Sequence, residues 1–180
     1  GDLAIGAFGI VNRIVFVFIM IVLGLNQGMQ PIAGYNFGAK LYPRVTEVLK
    51  VTIYCATVVT TIGFLIGMFI PEIVSSIFTS DAELISIASK GFRVVVFFYP
   101  IVGFQMVASN FFQSIGWQVK PFFLSLTRQM LFLVPCLLIL PHYYGQMGVW
   151  ASMPVADLAA SLISGGMLWW QFRQFKKVTV

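Results

Sequence analysis

The stretch AIGAFGIVNRIVFVFIMIVLGLNQGM, residues 4–29, decides the fold of this chain. It is longer than the roughly 20 apolar residues that a helix needs to cross the hydrocarbon core of a bilayer. Arg13 is its single charged residue. An uninterrupted apolar run of this length predicts a transmembrane helix rather than a buried helix of a soluble protein.

The composition of the whole chain agrees with a membrane protein. Of 180 residues, 59% are hydrophobic and only 9% are charged, whereas an ordinary soluble domain has about 25% charged residues. So few charges cannot cover the surface of a soluble enzyme, and the hydrophobic content excludes a disordered tail. The predicted fold class is all-α, a polytopic membrane helix bundle that forms one transmembrane unit over residues 1–180. Its five spans are predicted at about residues 4–29, 45–70, 82–115, 119–140 and 147–172, with a kink at Pro100.

The basic residues predict the orientation of the spans, because Lys and Arg near span ends are retained on the cytoplasmic side. Seven of the eleven basic residues lie in the first connection, the third connection or the tail: Lys40, Arg44, Lys50, Lys120, Arg173, Lys176 and Lys177. The second connection carries Glu72, Asp81 and Glu83 instead. The sequence therefore predicts an external N-terminus and a cytoplasmic C-terminus.

The net charge of +5 does not indicate a nucleic-acid partner, because the basic residues are scattered among apolar runs rather than gathered on one face. An odd number of spans with an external start suggests that part of the protein precedes Gly1. The sequence GDLAIG, which lacks a Met and a basic leader, agrees with that expectation.

Three ionisable residues are predicted near the membrane midplane: Arg13, Arg128 and Asp157. Charged groups at that depth usually pair with one another or face a wet cavity. Asp157 is the only acid well inside a predicted span, and its predicted partner is Arg128 or Arg13. A structural ion pair is the favoured interpretation, and a protonation or cation site is the alternative.

Polar residues also recur along one side of the first span. At 100° per residue, nine residues share a stripe that combines amides, Met and an aromatic ring: Gly9, Asn12, Arg13, Phe16, Met20, Leu23, Gly24, Gln27 and Gln30. Such a mixture suits an adaptable ligand cavity, and close helix packing with amide hydrogen bonds is the alternative. The predicted cavity-lining residues from the first and third spans are Asn12, Arg13, Gln27, Gln30, Tyr99, Gln105, Met106 and Asn110.

The sequence carries no recognisable catalytic or metal-binding motif. It lacks a Ser/His/Asp set, a paired carboxylate site, a GxGxxG phosphate loop and zinc-like spacing. The chain is therefore not predicted to be an enzyme, and no cofactor is expected.

Four segments carry a resemblance to a known family. They are GLNQGMQPIAGYNFGAK at 24–40, FFYPIVGFQMVASNFFQSIG at 97–116, LTRQMLFLVPCLLILP at 126–141 and GVWASMPVAD at 148–157. Together they resemble the second lobe of the multidrug and toxic compound extrusion (MATE) family, in its bacterial branch that exports cationic drugs. The chain looks like the last five of twelve helices, without the first helix of that lobe.

This resemblance implies two six-helix lobes around a central cavity, which export drugs by alternating access in exchange for protons or sodium. The implied partners are the lipid bilayer, small cationic drugs and the missing N-terminal lobe, in a bacterial cytoplasmic (inner) membrane. Sodium-coupled members carry an acid in the helix that matches the third span, and Val102 stands at about that position here. The site of the coupling ion, H⁺ or Na⁺, is therefore expected outside this chain.

Two rival functions are compatible with the same spans. A lipid-linked oligosaccharide flippase of similar fold would need a more basic cavity to hold a pyrophosphate. A non-transporting structural membrane protein would lose nothing when the polar stripe of the first span is replaced.

Overall fold

The computed structural model describes residues 2–116 and 127–178, which fold entirely through helices. Seven α-helices and one π-helical segment, Thr127–Leu133, follow one another in these residues. The α-helices are α1 (Asp2–Gly38), α2 (Tyr42–Phe69), α3 (Pro71–Ser76), α4 (Ala82–Val96), α5 (Tyr99–Ser114), α6 (Val134–Tyr144) and α7 (Gln146–Val178). The predicted all-α fold class is confirmed.

Three of the described helices, α1, α2 and α7, are long and apolar enough to cross a membrane, and α4 with α5 forms a fourth span if the bent pair is counted as one. The fourth predicted span, at 119–140, lies partly outside the described residues. Its described part belongs to a shorter apolar helix over Met130–Tyr144.

The first helix is longer than predicted, because it continues past residue 29 and through Pro31 to Gly38. Proline removes one backbone hydrogen bond from a helix and usually bends or ends it. Here the turns on both sides of Pro31 are anchored by buried side chains, Met29, Ala33 and Asn36. Tertiary packing therefore holds the helix together across a residue that favours its end.

The third predicted span is two helices rather than one kinked helix. The axes of α4 and α5 differ by 54°, and the break falls at Phe97 and Phe98, just before Pro100. A proline clashes with the carbonyl four residues earlier and cannot donate to it. That carbonyl belongs to Val96, where α4 ends. The predicted kink at Pro100 is thus a break whose position the proline explains.

Small residues bring α2 close to α5. A Cβ added to Gly103 on α5 would lie 2.7 Å from both the Ala56 carbonyl oxygen and the Thr60 hydroxyl oxygen on α2. A Cβ on Gly63 would approach the ring of Tyr99 to 3.0 Å. Membrane helices gain little from the hydrophobic effect against one another, so such close approach is the main source of their packing energy.

Candidate functional site

The first helix buries one side and exposes the other. Its buried side includes Val11, Val22 and Met29. Its exposed side includes a set of residues that spans about 100° around the helix, which we call the polar face of α1: Asn12, Arg13, Phe16, Met20 and Gln27. Phe16 is 54% exposed and Met20 is 47% exposed. The structure thus leaves the predicted polar stripe open along the middle of α1.

An apolar strip lies beside the polar face on the same exposed side. Val17 and Ile21 each follow a polar-face residue in the sequence, and a rotation of about 100° per residue turns them away from it. Val17 is 58% exposed and Ile21 is 47% exposed. The two strips are therefore equally open but differ in chemistry.

Gln30 and Asn110 come together across α1 and α5. The Gln30 Nε2 donates to Asn110 Oδ1 at 3.4 Å, and the Asn110 Nδ2 donates to the Met106 carbonyl at 2.9 Å. Gln30, Met106 and Asn110 are half-buried. Gln30 therefore lies at the border of the polar face, and its contact with Asn110 joins α1 to α5 as the packing alternative expected.

Tyr99 and Gln105 lie in the interior of the bundle rather than on the polar face. The Tyr99 hydroxyl donates to the Val15 carbonyl of α1 at 3.0 Å, and its ring meets Phe18 edge to face. Gln105 is buried as well. The break before Pro100 sets the rotation of α5, so the sequence alone could not show which of its residues face outward.

Two of the predicted interior charges, Asp157 and Arg13, differ in burial. Asp157 is buried on α7, whereas Arg13 is exposed on α1. The side chain of Arg128 lies outside the described residues, so its ion pair with Asp157 stays a prediction. Within residues 2–116 and 127–178, no cluster of three His, Cys, Asp or Glu side chains could hold a metal ion.

Asn26 is among the buried polar residues that the sequence analysis does not single out. It is 1% exposed, and neither atom of its amide has a hydrogen-bond partner among the described residues. Its neighbours one turn away on α1, Val22 and Met29, belong to a core cluster with Phe111 and Leu168. The sequence does contain a signal for this burial, because helical spacing places the amide between two core residues.

Comparisons with known proteins give a consistent result. The sequence model of the MatE family matches residues 1–138. The multidrug export protein MepA of Staphylococcus aureus (strain MSSA476) is 27% identical over 167 residues, which cover 91% of this chain and 37% of that protein. MepA of Staphylococcus haemolyticus (strain JCSC1435) is 23% identical over 164 residues, with 91% and 36% covered. The resemblance to MATE transporters is confirmed.

Solved structures agree with the sequence matches. The structure of the MATE multidrug transporter DinF-BH in complex with R6G superposes with a TM-score of 0.82 at 37% identity, over 90% of this chain and 36% of that one. An outward-facing MATE family transporter of the MOP superfamily gives a TM-score of 0.85 at 24% identity, over 98% and 40%, and supports the fold alone. The chain therefore spans between a third and a half of the length of the relatives that it matches.

Proposed function

This chain is a multi-pass membrane protein of the MatE family, and we propose that it forms one wall of the substrate cavity in a multidrug efflux antiporter. The observation that carries the proposal is the open polar face of α1. Alternating access would move this wall as one part of a rocking pair, with the N-terminal lobe of the same transporter opposite.

The chemistry of the polar face argues against contact with lipid. An arginine at the centre of a membrane helix is unfavourable by at least about 2.5 kcal/mol, and such residues face a wet cavity or another protein. Arg13 stands eleven residues into α1, and Asn12 beside it is also exposed. A water-filled cavity or an opposing lobe therefore suits this face better than acyl chains.

The side chains of the polar face suit varied organic molecules. Phe16 offers a ring for stacking or for a cation, and Met20 offers a flexible, polarisable surface. Asn12 and Gln27 supply hydrogen bonds that orient a ligand. By analogy with the export activity named for MepA, we propose cationic or amphipathic drugs as substrates. Because Arg13 repels cations, an acid from the opposite lobe would complete the preference for them.

The coupling ion, H⁺ or Na⁺, is proposed to bind elsewhere in the transporter. An ion drives transport only when it binds one conformation more tightly than the other. Val102 on α5 is buried, and it stands where sodium-coupled members carry an acid. Asp157 is proposed to stabilise the bundle through its pair with Arg128.

The proposed location is a bacterial cytoplasmic (inner) membrane, with the N-terminal end of α1 outside and the C-terminal end of α7 in the cytoplasm. The basic residues Lys40, Arg44 and Lys50 at the junction of α1 and α2 support this orientation.

Neighbouring residues on α1 provide a matched test of the cavity. In the full-length transporter, Phe16→Ala and Met20→Ala change the polar face, whereas Val17→Ala and Ile21→Ala change the adjacent apolar strip at similar exposure. Resistance of cells to cationic dyes and the efflux of those dyes would be measured at equal protein levels in the membrane.

We expect the two polar-face variants to lower efflux or alter the set of exported dyes, and the two control variants to behave like the parent protein. Equal losses in both pairs would contradict the assignment of the cavity to the polar face. A normal dye profile in Phe16→Ala and Met20→Ala would favour a structural role for α1.

A further inference from the structure

An apolar seam between α4 and α7 lies away from the polar face of α1. Trp150 of α7 packs over Gly91 of α4 so closely that a Cβ on Gly91 would lie 2.6 Å from the indole. Two open grooves run along this seam, one nearer the starts of α4 and α7 and one further along both helices. The first, of about 390 Å³, is lined by Ile87, Lys90, Gly91, Met147 and Trp150. The second, of about 410 Å³, is lined by Arg93, Phe97, Phe98, Ala151, Pro154 and Val155, among others.

Each groove has one basic side chain and an otherwise mainly apolar lining. Lys90 and Arg93 are three residues apart on α4, which places them on the same side of the helix within one turn. Both are exposed, and the Arg93 guanidinium lies 3.9 Å from a Glu72 carboxylate oxygen. An ion pair this long and exposed contributes little, so Arg93 can exchange Glu72 for another anion.

The contact with Glu72 indicates the depth of Arg93 in the membrane. Glu72 belongs to α3, which directly follows the end of the apolar helix α2 at Phe69. Arg93 therefore lies where an apolar span leaves the hydrocarbon core, at the depth of lipid headgroups. From Arg93 the groove continues along Phe97, which directly follows the end of α4, and along Val155, which lies nine residues after the start of α7.

We propose that this seam binds an anionic phospholipid, with its phosphate on Lys90 and Arg93 and an acyl chain in the groove between α4 and α7. Charge complementarity selects the headgroup, because two cations lie side by side at headgroup depth. The apolar lining selects an acyl chain over a soluble phosphate. The Glu72 carboxylate competes with the lipid phosphate for the Arg93 guanidinium.

The proposal is tested with the purified full-length transporter in detergent by native mass spectrometry. The protein is titrated with phosphatidylglycerol and with phosphatidylcholine of identical acyl chains, and inorganic phosphate is added in a separate series as a soluble anion. We expect phosphatidylglycerol to bind more tightly than phosphatidylcholine, and inorganic phosphate at equal concentration to leave the bound lipid in place.

Four variants separate the contributions of individual charged side chains to the binding of phosphatidylglycerol. Lys90→Gln and Arg93→Gln should each weaken phosphatidylglycerol binding about fivefold, which corresponds to the ~1 kcal/mol of one basic residue near an anionic surface. Glu72→Gln should tighten binding, because it removes the competitor. Lys50→Gln, an exposed charge on α2 outside both grooves, should leave the affinity unchanged.

The proposal would be overturned by equal affinity for the two lipids, by an equal loss in Lys50→Gln and Arg93→Gln, or by weaker binding in Glu72→Gln. Coverage of the seam by a second copy or by another segment of the transporter would appear as the first of these results. Ala151→Phe, which fills the groove and keeps both charges, should also weaken phosphatidylglycerol binding. Unchanged binding in that variant would contradict the placement of the acyl chain.

Discussion

The exposed sides of α1 and α2 are nearly equal in extent and opposite in character. Within their most apolar windows, 22% of the residues of α1 and 28% of those of α2 are buried. The exposed side of α2 follows a helical stripe of large apolar residues and one tyrosine: Val51, Tyr54, Val58, Ile62, Leu65 and Phe69. We call this stripe the apolar face of α2.

The polar face of α1 instead combines an arginine and two amides with Phe16 and Met20. Both helices are apolar enough to span a membrane, so neither mean hydropathy nor exposure separates their roles. The distribution of polar groups around each helix does separate them. An exposed face of a membrane helix therefore identifies a candidate cavity only when its composition is incompatible with lipid.

The polar face of α1 and the apolar face of α2 should differ most in how far a single cysteine on each reacts with a charged maleimide. In the full-length protein with Cys55 and Cys136 replaced by Ser, Met20→Cys should be labelled, because thiolates form in water. Val58→Cys, at similar exposure near the middle of α2, should stay unlabelled in lipid. Mass spectrometry of the labelled protein measures the difference. Comparable labelling at both positions would show that the apolar face of α2 also meets water.

A charge placed on the apolar face of α2 should have the next largest effect. Val58→Arg puts a guanidinium near the middle of the helix, and the insertion penalty for arginine at that depth is about 2.5–3.5 kcal/mol. We expect little mature protein in the membrane, as measured by fluorescence of a C-terminal reporter. Val58→Leu is the control that preserves the apolar surface. Normal amounts of the arginine variant would mean that Val58 does not face lipid.

Two glycines compare the close contact of α2 with α5 to the exposed side of α1. Gly103→Ala on α5 should lower stability by about 1–3 kcal/mol, because its Cβ would clash with Ala56 and Thr60 of α2. Gly24→Ala on the exposed side of α1 is the matched control, since its Cβ would meet no atom of the described residues within 4 Å. Thermal unfolding in detergent measures both. A greater loss in Gly24→Ala than in Gly103→Ala would contradict the close packing of α2 on α5.

The smallest expected effect concerns two long polar contacts with α5. Gln30 of α1 approaches Asn110 at 3.4 Å, and the Thr60 hydroxyl of α2 approaches the Pro100 carbonyl at the same distance. Gln30→Leu and Thr60→Val should each lower stability by about 0.6 kcal/mol, the average for such bonds in membranes. Only Gln30→Leu, at the border of the polar face, should also change dye efflux. A change in efflux by Thr60→Val at normal stability would extend the functional surface to α2.

The sequence was sufficient to predict the helical membrane fold and the position of the polar stripe on α1, because hydropathy and the 3.6-residue period depend only on local residue types. Whether that stripe is exposed depends on the other helices. The sequence was insufficient to predict that Tyr99 and Gln105 face the interior of the bundle. Their orientation depends on the rotation between α4 and α5, which the break at Phe97 and Phe98 sets. The predicted end of the first span, at about residue 29, lies before the end of α1 at Gly38, because packing on both sides of Pro31 outweighs the local preference of proline.

The burial of Asn26 could not be predicted from the sequence for a different reason. Its position between Val22 and Met29 could be inferred from helical spacing, but its burial depends on α5 and α7, which complete the core around it. Sequence patterns assign a residue to a side of its helix, whereas the neighbouring helices determine whether that side is buried.

The last helix has a consequence for how the protein is synthesised. Among the three long spans, α7 has the lowest mean hydropathy and, at 44%, the largest buried share of its most apolar window. Such a segment gains less from contact with lipid than α1 or α2 does, and more of its surroundings are protein. The helices that it packs on, α4, α5 and α6, precede it in the chain. Translation therefore delivers α7 to the insertion machinery after its partners, when a protein surface is already present to receive it.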